Sequence, residues 1–102
     1  MSLPERHARS ALARLVTQRG LLRGNLLERR RVCGKPNCRC TRGELHASLY
    51  LVFSADGKLH QLFVPKAWEA RVRPWVRDYH EARRLLEAVS QLYYEKVRQR
   101  QG

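Results

Sequence analysis

Long apolar runs are missing from this sequence. The longest clean one is Leu49 to Phe53, far short of the ~20 residues a helix needs to cross a bilayer, so no helical membrane span is expected and the protein should be soluble. Acidic residues are scarce: 9 Asp and Glu stand against 21 Lys and Arg, for a formal net charge of +12. The few carboxylates form no paired motif of the kind that holds a catalytic metal, which argues against a metal-dependent nuclease or hydrolase. The N-terminus lacks the apolar core of a secretory signal. Its Arg-rich opening has the amphipathic cast of a transit peptide, yet Ser2, Pro4 and Glu5 read as a helix start, and a cytoplasmic location is expected. No internal repeat or low-complexity segment is present.

What is there fits one small domain. With 102 residues, 43% of them hydrophobic, the chain suffices for one core, and a single domain over residues 1–102 is expected. Chains of this size lie near the limit at which a core alone gives comfortable stability, so a metal staple would be physically useful.

The pattern along the chain is α+β. Ser2 and Glu5 form a capping box, after which Ala8, Ala11, Leu12, Leu15 and Val16 share one helical face, predicting a helix over 3–19. A strand with an attached metal loop follows over 24–46; its Arg29-Arg30-Arg31 run spoils the alternation expected of a strand. A hairpin over 47–64 is signalled by two alternating runs around Asp56-Gly57, where glycine supplies the positive φ of a tight turn. These strands predict a small three-stranded antiparallel sheet. From Pro65 the period becomes helical, with Trp68, Val72, Trp75, Tyr79, Ala82, Leu86, Val89 and Tyr93 on a stripe that Leu85 and Leu92 widen. Pro74 is expected to divide residues 66–99 into a helix pair, and the aromatic side chains of the stripe are expected in the core.

Between Cys33 and His46 there is no apolar period, only turn residues and three cysteines spaced CxxxxCxC. Such a segment needs something other than a core to stiffen it. Zinc prefers four tetrahedral sulfur or nitrogen ligands, and Cys33, Cys38 and Cys40 with His46 would complete a closed Cys3His set. Gly34-Lys35-Pro36-Asn37 is a turn sequence that brings the first two sulfurs together, and Gly43 frees the chain to return the histidine. In a reducing compartment three cysteines favour metal over disulfides. His60 on the hairpin is the alternative fourth ligand, while His7 and His80 read as surface residues. The bland alternative is three free or buried thiols, which three cysteines within 8 residues make strained.

The residues Gly24-x-Leu26-x-x-Arg29, CGKPNCRC from Cys33 to Cys40, Gly43, His46, Tyr50, Gly57-Lys58, Val64-Pro65 and Trp75-Val76 are together similar to a family of short uncharacterised bacterial and archaeal proteins that often accompany mobile elements. The resemblance runs from about Gly24 to Tyr93. It implies no activity, and its association with mobile elements favours a DNA-related role. The family usually has Gly-Pro-Tyr after the histidine, where this chain has Ala47-Ser48-Leu49.

Charge points to a polyanionic partner, nucleic acid before an anionic membrane or an acidic protein. Arginine supplies 17 of the 21 positive charges, which suits bidentate phosphate contacts and is also what a GC-rich genome produces unselected. Arg29, Arg30, Arg31, Lys35, Arg39 and Arg42 place six cations in 14 residues without an acid among them. A zinc-fixed loop would hold them in one geometry, with Tyr50 as the exposed ring for stacking on a base; the opposing reading is a solvated basic loop that only aids solubility. A second stripe, Arg73, Arg77, His80 and Arg84, lies near Asp78, Glu81 and Glu87 and reads as ordinary ion pairs. The expectation is a non-catalytic zinc-stabilised module that binds nucleic acid, DNA ahead of RNA. The alternative is an interaction module that forms a homodimer, or docks on a mobile-element protein, through the C-terminal stripe.

Overall fold

The computed structural model describes residues 2–31 and 46–100. The fold is α+β, in the order helix α1 (Leu3–Gln18), strands β1 (Asn25–Arg31), β2 (His46–Ala55) and β3 (Lys58–Val64), a 3-10 turn (Lys66–Trp68) and helix α2 (Glu69–Arg98). It divides into two units. One joins both ends of the chain, Met1–Leu22 with Pro74–Gly102, and the other is Arg23–Arg73.

The second unit holds an antiparallel sheet in the order β1-β2-β3. Its hairpin is built as the sequence dictates: Ala55 pairs with Lys58, and the two residues between them take positive φ, 54° at Asp56 and 74° at Gly57, the twist that closes a two-residue turn between antiparallel strands. Period-two patterning sends Leu49, Leu51 and Val64 to one face, where all three are buried. At Gly24, φ is 143°, and a Cβ there would lie 2.8 Å from Leu51 Cδ1 and 2.9 Å from the Val52 carbonyl oxygen. Only glycine lets the chain enter β1 so close to this core. The arginine run does not prevent β1 from forming, because all seven of its residues find register partners on β2. Strand pairing outweighs poor alternation in a segment with a ready neighbour.

In the first unit, Ser2 Oγ accepts a hydrogen bond from the Glu5 amide at 3.3 Å, which caps α1. The Glu5 carboxylate is taken elsewhere: it accepts from Arg9 Nε at 2.7 Å and from the Tyr93 hydroxyl at 3.1 Å. Glu5 is 2% exposed, and this paired, hydrogen-bonded state is how a buried carboxylate is tolerated. The guanidinium of Arg9, then the Tyr93 hydroxyl, hold its carboxyl below the ordinary 4.5 against an opposing push from burial. On α2 the buried line is Val76, Ala82, Leu85 and Val89.

Two expectations are corrected. The C-terminal region is one long helix and not a helix pair, with Pro74 inside it. Proline's fixed φ is helical, so its cost is the missing N–H bond to the Ala70 carbonyl and a clash with it; burial of Val72 and Val76 on either side of Pro74, and a glycine-free run to Arg98, offset that. The aromatics are also less buried than their stripe suggests. Trp75 and Tyr79 are half-buried, while Trp68 and Tyr93 are exposed, with Arg71 lying over the Trp68 ring at 4.7 Å. The buried line is centred nearer Leu85 than the four-three stripe places it. Among the described residues no helix is long and apolar enough to cross a membrane.

Candidate nucleic-acid interface

The strand register decides which side chains share the face opposite Leu49, Leu51 and Val64. Leu27 pairs with Tyr50 and Tyr50 with Phe63, forming a row of three across the sheet. Arg29, paired with Ser48, lies on the same face two residues along β1, and Gln61, paired with Val52, lies on it along β3. Leu27, Leu59 and Phe63 are exposed large apolar residues. Rows of this kind on a sheet ordinarily meet a core; here they meet solvent.

Arg29 reaches across this face. Its guanidinium lies over the Tyr50 ring, 5.1 Å from the centroid, and Nη2 donates to Gln61 Oε1 at 2.8 Å. One long cation is thus pinned at both ends, by a ring quadrupole on the middle strand and an amide oxygen on the far strand. Tyr50 and Phe63 meet edge to face, with centroids 5.7 Å apart and planes at 65°, a favourable aromatic geometry. Tyr50, chosen from the sequence as the stacking ring, is therefore half-buried beneath Arg29. Phe63, which sequence reasoning missed, is 54% exposed. The signal for it was already in the alternation, since Phe63 is out of phase with Leu62 and Val64.

Arg30 takes the other face, where it pairs with Glu28 at 3.2 Å across exposed surface. Arg31 closes β1 opposite His46, the first residue of β2; the side chains of both lie outside the described residues. So do the expected ligands Cys33, Cys38 and Cys40 and the loop cations Lys35, Arg39 and Arg42. Among the described residues no group of three or more His, Cys, Asp or Glu is placed to hold a metal. His60 is opposite Phe53, seven positions along β2 from His46. Its ring stacks on Phe53 at 5.3 Å, and Nε2 is 3.3 Å from the Ala55 carbonyl oxygen.

Two arginines of the second stripe are engaged on their own helix. Arg84 Nε donates to Glu81 at 2.9 Å and Arg77 Nε to Asp78 at 3.3 Å. The Arg84 guanidinium holds the Glu81 carboxyl below its ordinary value. Asp78 is buried and also lies 4.0 Å from Arg19.

The family model of a domain of unknown function, DUF6788, matches residues 3–74, taking in α1, the whole sheet and the start of α2. No curated protein and no solved structure matches the chain.

Proposed function

This chain belongs to the family of the domain of unknown function DUF6788, and from that premise we propose that it is a non-catalytic, zinc-stabilised module that binds nucleic acid, DNA ahead of RNA, through an arginine-bearing sheet face and a metal loop. One observation carries the reading: Arg29, Tyr50 and Phe63 share an exposed sheet face on which the cation is pinned. A fixed guanidinium loses less side-chain freedom on meeting a phosphate than a free one does. The chain's +12 charge supplies the long-range attraction.

The register supports the zinc ligand set. Arg31 and His46 are partners, and Cys33, two residues beyond Arg31, can stand at most ~7 Å from it along the chain. The histidine that begins β2 is within easy reach of such a sulfur. His60 is seven positions away along the strand, roughly 24 Å at the rise of an antiparallel strand, too far for one ion to bridge it to Cys33. Cys33, Cys38, Cys40 and His46 then make a closed tetrahedral set, with no open position for a substrate. Bound zinc would hold Lys35, Arg39 and Arg42 in one arrangement beside the end of β1. The association with mobile elements belongs to this proposal and favours DNA.

The test is metal content together with a salt titration of binding. Purified protein should carry one zinc per chain, and log K should fall steeply with log salt. Replacing Arg29, Arg39 and Arg42 together with alanine should leave folding intact and flatten that slope by about 2 to 3, at roughly 0.9 for each phosphate no longer neutralised. An unchanged slope refutes the proposal.

A second reading has an observation of its own. Leu86, Tyr94 and Val97 are exposed along α2, and Leu86 lines a groove of about 320 Å³ with Leu12, Val16 and Leu21. A homodimer or a mobile-element protein held at this stripe would show a concentration-dependent mass and weak, salt-insensitive nucleic-acid binding.

A further inference from the structure

We infer that Phe63 is a base-stacking ring, and that the sheet face it shares with Arg29 takes single-stranded rather than duplex nucleic acid. The inference rests on the nucleic-acid reading above and narrows it to a class of ligand.

The argument turns on what each strand type offers to an open apolar ring. In a duplex the faces of the bases are used up by stacking on one another, so a protein surface outside the grooves meets sugar and phosphate. Phe63 and its cross-sheet neighbour Leu27 would then be buried against charge, which gives no stabilisation. A single strand can turn its bases out, and every base has a face that stacks on an aromatic ring whatever its sequence. Phe63 is 54% exposed, whereas the Tyr50 and Phe53 rings of the same sheet are half-buried, and its edge-to-face contact with Tyr50 limits its motion without covering it.

The cation beside it is placed for the same ligand. The Arg29 guanidinium carbon lies over the Tyr50 ring, 5.1 Å from its centroid and within cation–π range, and Arg29 is tethered to Gln61. Its guanidinium therefore offers both a planar surface and donors for a phosphate, the combination that tracks a splayed strand. Tyr50 and Gln61 act through Arg29 and are positioning residues. Charge complementarity selects a nucleic acid over an apolar protein segment as the occupant, since a pinned arginine in the middle of an apolar face would be costly to desolvate against a neutral partner.

Binding of an oligothymidylate of about 12 nucleotides, and of its duplex with oligoadenylate, is compared by fluorescence anisotropy at fixed salt. The proteins are the full chain, Phe63→Leu, which keeps apolar volume but removes the ring, and Phe63→Trp, which enlarges it. The single strand should bind more tightly than the duplex. Phe63→Leu should weaken single-strand binding roughly 5- to 100-fold, leave duplex binding within about twofold and leave the salt slope unchanged, because no charge has been removed. Phe63→Trp should hold or raise single-strand affinity, a result that a merely misfolded variant does not give. Arg29→Lys should weaken single-strand binding with charge preserved. If both variants at Phe63 bind both ligands as the parent does, the stacking inference is overturned while the cationic reading stands. Equal losses for strand and duplex also overturn it. If the parent binds neither ligand, the nucleic-acid reading fails and this inference with it.

Discussion

Replacing Leu51 with alanine tests the register on which the proposed interface depends. Leu51 is 1% exposed and belongs to the buried face of β2. The substitution deletes three carbon atoms, about 2.4 kcal/mol at ~0.8 kcal/mol per buried methylene. A cavity cost adds to this, and the measured range for such changes is about 2 to 5 kcal/mol. The surroundings place Leu51 in the upper part of that range. One wall of the new void is the backbone at Gly24, so near that a Cβ there would be 2.8 Å from Leu51 Cδ1, and backbone in a strand entry cannot move in to fill space as a side chain can. The expected loss is therefore about 3 to 5 kcal/mol, out of a total of roughly 5 to 15 for a domain. Urea unfolding followed by circular dichroism, with zinc held fixed in every sample, measures it. Phe63→Ala is the internal control: on the opposite face and 54% exposed, it should cost no more than about 1 kcal/mol. A loss below ~1 kcal/mol for Leu51→Ala, or equal losses at the two positions, would refute the assignment of faces, because a slip of one residue exchanges them.

Three further outcomes are expected. Glu5→Gln should lower the thermal midpoint at pH 7. A carboxyl whose folded-state pKa lies below 4.5 contributes stability that is present above its unfolded value and lost as the pH falls through the folded one. The gap between variant and parent should therefore narrow progressively in melts taken below pH 4.5, and a gap that does not narrow with falling pH contradicts the assignment. Gly24→Ala forces a side chain into φ 143° and against the Val52 carbonyl oxygen at 2.9 Å, and should cost more than ~1 kcal/mol in the same urea assay; a neutral result would mean β1 enters the sheet differently. Cys38→Ala should lower the thermal midpoint and abolish its response to chelator, whereas the parent should melt earlier when chelator is added; a parent indifferent to chelator removes zinc from the proposal.

The elements whose signals are local were legible in the sequence. Ser2 with its N-cap bond, the Asp56-Gly57 turn and the alternation around Leu51 each depend on residues a few positions apart, and each appears where the pattern put it. Pro74 misled because the rule for proline describes a cost, and the packing that offsets it involves residues on both sides of the kink position. The strand expected at the arginine run is present as β1; its own pattern is poor, and pairing with β2 along its whole length is what local alternation could not show. The cysteine spacing suggests a ligand set from chemistry alone, with His46 ahead of His60 already in the sequence; what the register adds is the distance along β2 between the two histidines. The aromatic site shows the division most plainly. Alternation established from sequence alone that Tyr50 and Phe53 take opposite faces, as do Leu62 and Phe63. Which ring lies open was decided only in three dimensions, because exposure depends on what crosses over a side chain, and Arg29 reaches over Tyr50 to Gln61 from a strand that no local pattern could bring there.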